Sequence, residues 1–221
     1  MTTAYSAEVR YHPWVGDRYS AQQERWLILG ESSYALSPTD ANATREMILA
    51  HCGAATVNFD TGIYRVCAGA ERLVTGRDTL DAASRKEFWR TVAFYNYVND
   101  SMPSRQQRPT AKQFRDSLRA FNDVVCQTQP HVVLVLGLRL WMALPGERDG
   151  WTKGIEQDIV MPIQRSRSRK LSVWTGMADG KTTTHRFVCF PVVHPSTIGF
   201  AASAWRDWMI AAKRTVATSC L

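Results

Sequence analysis

The amino-acid sequence predicts an α/β fold, in the form of a three-layer α/β/α sandwich around a central, mainly parallel sheet. Three observations support this prediction. Short, continuously apolar segments are typical of strands that are covered on both faces. Amphipathic segments of helical period separate these strands. The chain has 221 residues with 45% apolar content, which suits one sizeable core, so we expect a single domain spanning residues 1–221.

Four segments carry the strand pattern. The segments "WLILG" (26–30), "HVVLVLG" (131–137) and "RFVCFPVVH" (186–194) are almost entirely apolar. The segment "KLSVWT" (170–175) is a fourth candidate, and the pair Asp179-Gly180 predicts a turn between it and the third strand.

Capping residues and apolar periodicity predict the helices. Residues 38–40 (Pro-Thr-Asp) precede a helix over residues 41–52, which ends at Gly53. Ser84 is followed by Glu87 three residues later, which is the pattern of a capping box. We therefore expect a helix over residues 85–98.

A longer helix is expected over residues 111–127. Thr110 and Gln113 repeat the capping-box pattern at its start, and Pro130 follows its end. One face of this helix carries four apolar side chains: Phe114, Leu118, Phe121 and Val125. A second apolar stripe, near the C-terminus, predicts a further core-packing helix: Trp205, Trp208, Met209 and Ala212.

The amino-acid composition indicates which kinds of partner the protein favours and which kinds of site it lacks. The net charge of +7 and the isoelectric point near 9.4 favour a polyanionic partner, because Lys and Arg displace counterions from nucleic acid. The five cysteines are scattered without a C-x-x-C pair, which argues against a disulfide framework and a thiolate metal site. No segment approaches the roughly 18 apolar residues of a membrane span, and no signal-peptide pattern is present. We expect a cytoplasmic protein without metal or membrane contacts.

Polar side chains collect at the ends of two predicted strands. Residues 31–34 (Glu-Ser-Ser-Tyr) follow the first strand, and residues 194–197 (His-Pro-Ser-Thr) follow the third. Asn96 lies among aromatic residues before an Arg- and Pro-rich loop. Ligands of open α/β sheets bind beyond the carboxyl ends of the strands, so we expect these three segments to meet at one edge of the sheet.

The order of these motifs resembles that of the uracil-DNA glycosylase superfamily. G-E-x-x-x follows a first strand, N-x-V precedes an R-P-T loop and a helix, P-x-V-V-L-V-L-G follows, and H-P-S ends a last strand. The resemblance covers roughly residues 26–200 and is closest to the bacterial and archaeal branch whose first motif is G-E-x-P-G. The long segment from Arg108 to Gly137 contributes most to it.

The resemblance implies roles for particular side chains. Glu31 would be the carboxylate that orients the attacking water or stabilises positive charge on the sugar. Asn96 would bind the amide edge of a flipped base. His194 would hydrogen-bond a base carbonyl as the base gains negative charge. Tyr34 or Phe59 would stack against the base.

The first motif departs from the pattern of that branch. "GESSY" lacks the Pro of G-E-x-P-G, and its Tyr34 matches a second branch, whose motif is G-Q-D-P-Y. When the chain is aligned with this second branch, Ser32 would occupy the position of the catalytic acid and would lie beside the bound base. A serine hydroxyl supplies no negative charge, so Glu31 is the preferred acid.

The third motif implies contacts to DNA. Ser196 and Thr197 would bind a phosphate through hydroxyl and backbone groups. Ile198 or Phe200 would occupy the position where the family inserts an apolar wedge into the vacated base stack.

Arginines outside the three motifs are further candidates for DNA contacts. Arg165, Arg167 and Arg169 recur at period two, so on an extended segment they would form a row suited to successive phosphates. In a solvated loop the same row would carry no function. Arg108, in the Pro-flanked loop, is another candidate.

The resemblance therefore implies a monofunctional DNA glycosylase that removes uracil or another modified pyrimidine, binding DNA as a monomer without a cofactor. Two alternatives remain open: a glycosylase for hypermodified, C5-substituted cytosine in phage DNA that acts in antiviral defence, and a catalytically inactive nucleic-acid-binding module. A hydrolase of free nucleosides is a weaker third. Taken singly, Glu31 also suits a helix N-terminus, Asn96 a loop cap and His194 a core position.

Overall fold

A computed structural model of the protein describes residues 5–34, 36–37, 39–53, 61–160, 168–179, 183–197 and 199–219. Within these residues the chain has an α/β fold, and seven strands form one mixed sheet in the order β1-β3-β2-β4-β7-β6-β5. The strands are β1 (Trp14–Val15), β2 (Trp26–Tyr34), β3 (Ala93–Met102), β4 (Val132–Leu136), β5 (Thr152–Val160), β6 (Ser168–Asp179) and β7 (Thr184–Val192).

The four central strands, β3, β2, β4 and β7, are parallel to one another. The antiparallel strand β1 borders β3, and the antiparallel pair of β6 and β5 continues the sheet beyond β7. The carboxyl ends of the four central strands therefore lie along one edge of the sheet, where open α/β sheets form their sites.

Helices connect these strands. The helices are α1 (Ala43–Cys52), α2 (Thr61–Thr75), α3 (Ala82–Thr91), α4 (Ala111–Asp116), α5 (Leu118–Thr128), α6 (Leu138–Ala143) and α7 (Ala202–Ser219), with a 3₁₀ turn at Glu147–Asp149. Over the described residues, no helix is both long enough and apolar enough to cross a membrane.

The core consists of two clusters of buried side chains, one on each face of the sheet. Alternate residues of a strand point to opposite faces, and accordingly Leu27 and Leu29 lie in one cluster while Ile28 lies in the other. The first cluster contains the apolar face of α5, and the second contains buried residues of α1, α2, α3 and α7. Both faces of the central strands are therefore covered, which explains their continuous apolar sequence.

Several local predictions are confirmed. All four apolar segments are strands, and α1 ends at Gly53. The capping box at Thr110 and Gln113 is formed in both directions. The predicted stripe of α7 is buried throughout: Trp205, Trp208, Met209 and Ala212.

The predicted helix over residues 85–98 is wrong in its second half. α3 is capped by Asp81, whose carboxylate accepts a hydrogen bond from the Ser84 amide at 2.7 Å, and the helix ends at Thr91. The chain then enters β3, which pairs with β1 on one side and β2 on the other. The aromatic-rich segment "AFYNYV" is thus an inner strand of the sheet, consistent with the high strand preference of aromatic residues.

Two helix boundaries also differ from prediction. The expected helix over residues 111–127 is interrupted at Ser117, whose hydroxyl donates to the Gln113 carbonyl at 2.7 Å and accepts from the Asn99 amide at 3.0 Å. Such local side-chain bonds compete with regular helix geometry. α1 begins two residues later than expected, at Ala43 with Asn42 as its N-cap.

Candidate active site

A cleft of about 970 Å³ opens at the carboxyl ends of the central strands. Its walls are the end of β2, Asn96 of β3, the segment from Gly137 to Arg139 after β4, and the segment after β7. Residues of α1 and α2 and the loop between β3 and α4 complete it. Eight residues that the sequence analysis selected line this one cleft: Glu31, Ser32, Tyr34, Asn96, Arg108, His194, Ser196 and Thr197.

β2 extends further than the sequence suggested. The expected loop after Gly30 is instead the last part of the strand, because β3 continues alongside it and pairs Ser32 with Val98. The register shifts between Ser32 and Ser33, so that Ser33 pairs with Ser101. Such an irregularity changes the direction of the side chains that follow it.

Gly30 makes room for the side chain of Asn96. The two residues are register partners in β2 and β3, and a Cβ atom at position 30 would lie 2.2 Å from Asn96 Oδ1. Asn96 Nδ2 donates to Ser33 Oγ at 2.8 Å, which fixes the orientation of the amide. Ser33 and Gly30 together therefore hold an amide group at the wall of the cleft.

Glu31 forms an ion pair with Arg139. Arg139 Nε donates to Glu31 Oε2 at 2.7 Å, and Nη2 donates to Oε1. The side chain of Glu31 is 10% exposed and that of Arg139 is 43% exposed. The hydrogen bond to Glu31 raises the pKa of Arg139 above its ordinary value. No sequence motif predicts a role for Arg139, although it lies two residues beyond Gly137, at the end of a predicted strand.

The hydrogen bonds of His194 define its tautomer. Its Nδ1 accepts from the Ser196 amide at 3.3 Å and lies 2.7 Å from Ser196 Oγ. An amide N–H only donates, so Nδ1 carries the lone pair and the ring proton is on Nε2. Burial lowers the pKa of His194 below 6.5, against the opposing effect of Glu31. The ring is therefore a neutral hydrogen-bond donor at neutral pH.

The His194 segment is held by α2, a helix that the sequence analysis did not predict. A Cβ atom at Gly69 of α2 would lie 2.3 Å from Pro195 Cβ, so only a glycine permits this close approach. Gly137, with φ of 125°, lies next to His194 itself, because a Cβ atom at this position would be 3.7 Å from His194 Cδ2. A glycine inside a helical pattern is a signal of close packing, and it could have indicated this contact.

Ser32 lies in the wall of the cleft and is 9% exposed. Its hydroxyl makes no hydrogen bond to any part of the chain that the structure describes. A buried hydroxyl without a partner costs free energy, which a ligand could recover by bonding to it.

Four of the predicted site residues lie outside the part of the chain that the structure describes: Phe59, Ile198, Arg165 and Arg167. The backbone of Arg169 lies in β6 opposite Ile159 of β5. Because β6 runs antiparallel to β7, its first residues lie at the end of the sheet where β7 ends, which is the end that carries the cleft.

The described part of the chain contains no group of three or more His, Cys, Asp or Glu side chains suited to a metal ion. The cleft offers a neutral imidazole, an oriented amide, three carboxylates (Glu31, Asp40 and Glu46) and three arginines (Arg105, Arg108 and Arg139). Such groups can stabilise a developing positive charge, donate to a developing anion and bind a planar amide edge.

Comparison with known proteins does not assign a family. No protein-family model matches the chain, and no curated protein sequence matches it. Function must therefore be inferred from the chemistry of the cleft and the order of the motifs.

Proposed function

We propose that this protein is a monofunctional DNA glycosylase related to the uracil-DNA glycosylase superfamily. It hydrolyses the bond between deoxyribose and uracil, or another modified pyrimidine, and leaves an abasic site. One observation supports this proposal above all: Glu31, Asn96 and His194 come from distant parts of the sequence and line the same cleft. Each has the chemistry that one part of base excision needs.

Asn96 recognises the base. An amide presents one acceptor and donor groups side by side, which complements the edge of a pyrimidine that also presents a carbonyl and an N–H. The target must leave the helical stack to reach a cleft of this kind. The hydrogen bond to Ser33 leaves Asn96 with one further N–H and its carbonyl oxygen for the base.

His194 stabilises the departing base. As the glycosidic bond lengthens, negative charge accumulates on the base and its carbonyl oxygens. A neutral imidazole that donates from Nε2 becomes a stronger partner for this carbonyl as the charge grows, which lowers the barrier. The two bonds from Ser196 to Nδ1 keep the proton on Nε2.

Glu31 stabilises the sugar. Departure of the base leaves positive charge on C1′ and the ring oxygen, and an adjacent carboxylate favours this charge. Water then adds to C1′ and loses a proton to solvent, so that the sugar gains a hydroxyl group, and the departing base takes up a proton from solvent. The chemistry needs neither a cofactor nor a covalent intermediate, and no lysine stands in the three motifs.

The basic character of the protein fits a DNA substrate. Arg105 and Arg108 line the cleft, and the net charge of the chain is +7. Arginine forks bind phosphate with two parallel hydrogen bonds. The proposal includes a single domain in a three-layer α/β/α arrangement, binding DNA as a monomer, and core clusters on both faces of the sheet support that arrangement.

The test is base release from a labelled duplex that contains one uracil, measured as strand breaks after alkali. We expect Glu31→Gln and His194→Ala each to reduce the rate by roughly 100-fold or more, the usual effect of removing one group that stabilises transition-state charge. Binding to an uncleavable duplex should stay within a few-fold of wild type. Full activity in both variants would refute the assignment of the site.

Glu87→Gln is a matched control for Glu31→Gln. Glu87 also accepts from an arginine, Arg18 Nη1 at 2.5 Å, but it lies on α3 and is about half exposed. Its substitution should leave base release unchanged. If the wild-type protein binds DNA but releases no base from any substrate, the protein is a binding module and the glycosylase proposal falls.

The size of the cleft favours a second candidate substrate. At about 970 Å³ it lies at the upper end of the range for small-molecule sites, roughly 300–1,000 Å³, and its lining includes Met47 of α1 and Val66 of α2 as well as Asn96. A pyrimidine with a bulky C5 substituent would use this additional space, as would hypermodified cytosine in phage DNA. Comparing rates on uracil and on C5-substituted cytosine duplexes distinguishes the two substrates.

A further inference from the structure

The ion pair between Glu31 and Arg139 conflicts with the role proposed for Glu31. A carboxylate stabilises a cationic sugar through its negative charge. Here both carboxylate oxygens accept from one guanidinium group, so the pair as a whole is close to neutral. A neutral pair produces a weaker field at the sugar than an isolated carboxylate does.

The two partners differ in their exposure to solvent. Glu31 is nearly covered at 10% exposure, whereas Arg139 is 43% exposed at the mouth of the cleft. A DNA strand that approaches the cleft therefore meets Arg139 before it meets Glu31. Of the two side chains, the arginine is the one that is free to change partners.

A phosphate group is a suitable second partner for Arg139. The guanidinium fork that binds both oxygens of Glu31 matches two phosphate oxygens equally well. Extrusion of a nucleotide into the cleft brings its flanking phosphates to the cleft mouth. The acidic side chains of Asp40 and Glu46 also line the cleft, but Arg139 makes no hydrogen bond to either of them.

On this basis, and assuming the proposed glycosylase function, we propose that Arg139 is a positioning residue that exchanges partners when DNA binds. In the free protein it holds Glu31. In the complex it binds the phosphate next to the extruded nucleotide, and Glu31 faces the sugar with an uncompensated charge. The exchange couples full activation of the carboxylate to correct seating of the DNA.

The first test is an NMR measurement of the Arg139 Nε–Hε signal, assigned by its disappearance in Arg139→Lys. The ligand is a duplex carrying one tetrahydrofuran abasic-site analogue, which has no base to release. In the free state the signal should differ between wild type and Glu31→Gln, because the arginine has a different partner. In the complex the Arg139 signals of wild type and Glu31→Gln should coincide, because Arg139 binds phosphate in both proteins. If the two signals differ in the complex as much as in the free state, the ion pair between Glu31 and Arg139 is retained and the proposal is overturned.

The second test measures the phosphate contact with Arg139→Ala. Loss of one phosphate contact should weaken binding to the same duplex about tenfold and reduce the dependence of log Kd on log salt by about one. Binding and salt dependence equal to those of wild type would show that Arg139 does not contact phosphate in the complex, and would overturn the exchange.

Failure of this inference is distinguishable from failure of the proposed function. If wild type releases uracil but the bound signals differ, the glycosylase stands and the exchange falls. If wild type releases no base from any substrate, the proposed function falls, whatever the NMR comparison shows.

Discussion

Replacing Gly30 with alanine tests whether the position of Asn96 depends on the absence of a side chain in β2. The new Cβ atom would lie 2.2 Å from Asn96 Oδ1 and 3.2 Å from Phe94 Cζ, whereas ordinary contacts begin near 3.4 Å. Asn96 must therefore move by about 1 Å, which breaks its 2.8 Å bond to Ser33. Both strands are inner strands of the sheet, so they cannot easily separate to make room.

The expected cost can be estimated from these contacts. Overpacking of a core position costs about 1–3 kcal/mol, and loss of the hydrogen bond adds about 1 kcal/mol. We expect Gly30→Ala to lower the free energy of unfolding by about 2–4 kcal/mol in urea denaturation. For a chain of this size each kcal/mol corresponds to roughly 2–4 °C in Tm, so Tm should fall by roughly 4–16 °C.

A double-mutant cycle attributes this cost to Asn96. In an Asn96→Ala background the nearest remaining contact is Phe94, and Gly30→Ala should then cost less than about 1 kcal/mol. Gly53→Ala is the matched control, because its Cβ atom would have ordinary contacts of 3.6 Å and 3.9 Å with backbone oxygens of α1. Equal costs for Gly30→Ala in both backgrounds, or a variant as stable as wild type, would refute the reasoning.

Two further predictions concern buried groups. Glu71 accepts from Trp89 Nε1 at 2.8 Å and lies 2.6 Å from His51 Nε2, so Glu71→Ala removes a hydrogen-bond partner from each of these two buried rings. It should cost about 3–5 kcal/mol in urea denaturation, and a loss below about 1 kcal/mol would contradict this. Burial lowers the pKa of His194, so the native state binds this proton more weakly than the unfolded chain does. Its contribution to stability is therefore complete above pH 6.5 and declines as the pH falls below that value; an NMR titration of the imidazole with a midpoint at or above 6.5 would show the opposite.

The strands of the sheet show where a sequence pattern is sufficient to predict a structural element and where it is not. The sequence predicts β4 and β7 because a central parallel strand is apolar on both faces, and this property depends only on the few residues of the strand itself. The sequence predicts a helix that continues into the first half of β3, because Trp89 and Arg90 do belong to a helix and the strand begins within two residues of the end of that helix. Only the pairing of β3 with β1 and β2 decides where the helix stops.

Among the residues of the cleft, too, some can be selected from the sequence and others only from the structure. Glu31 and His194 could be selected from the sequence, because polar side chains directly after apolar strands are unusual and local. Arg139 could not be paired with Glu31 in this way, since the two residues are 108 positions apart in the chain. The contact between Gly69 and Pro195 likewise depends on α2 packing against a distant loop.

The sequence by itself determined the α/β class, four of the strands and the polar residues that follow two of them. These features depend on side-chain hydrophobicity and on neighbours within a few positions. The tertiary structure decided the order of the strands, the extension of β2 through Tyr34, the placement of Asn96 over Gly30 and the neutralisation of Glu31 by Arg139. Each of these depends on contacts between segments that are far apart in the chain, and only the packed sheet brings such segments together.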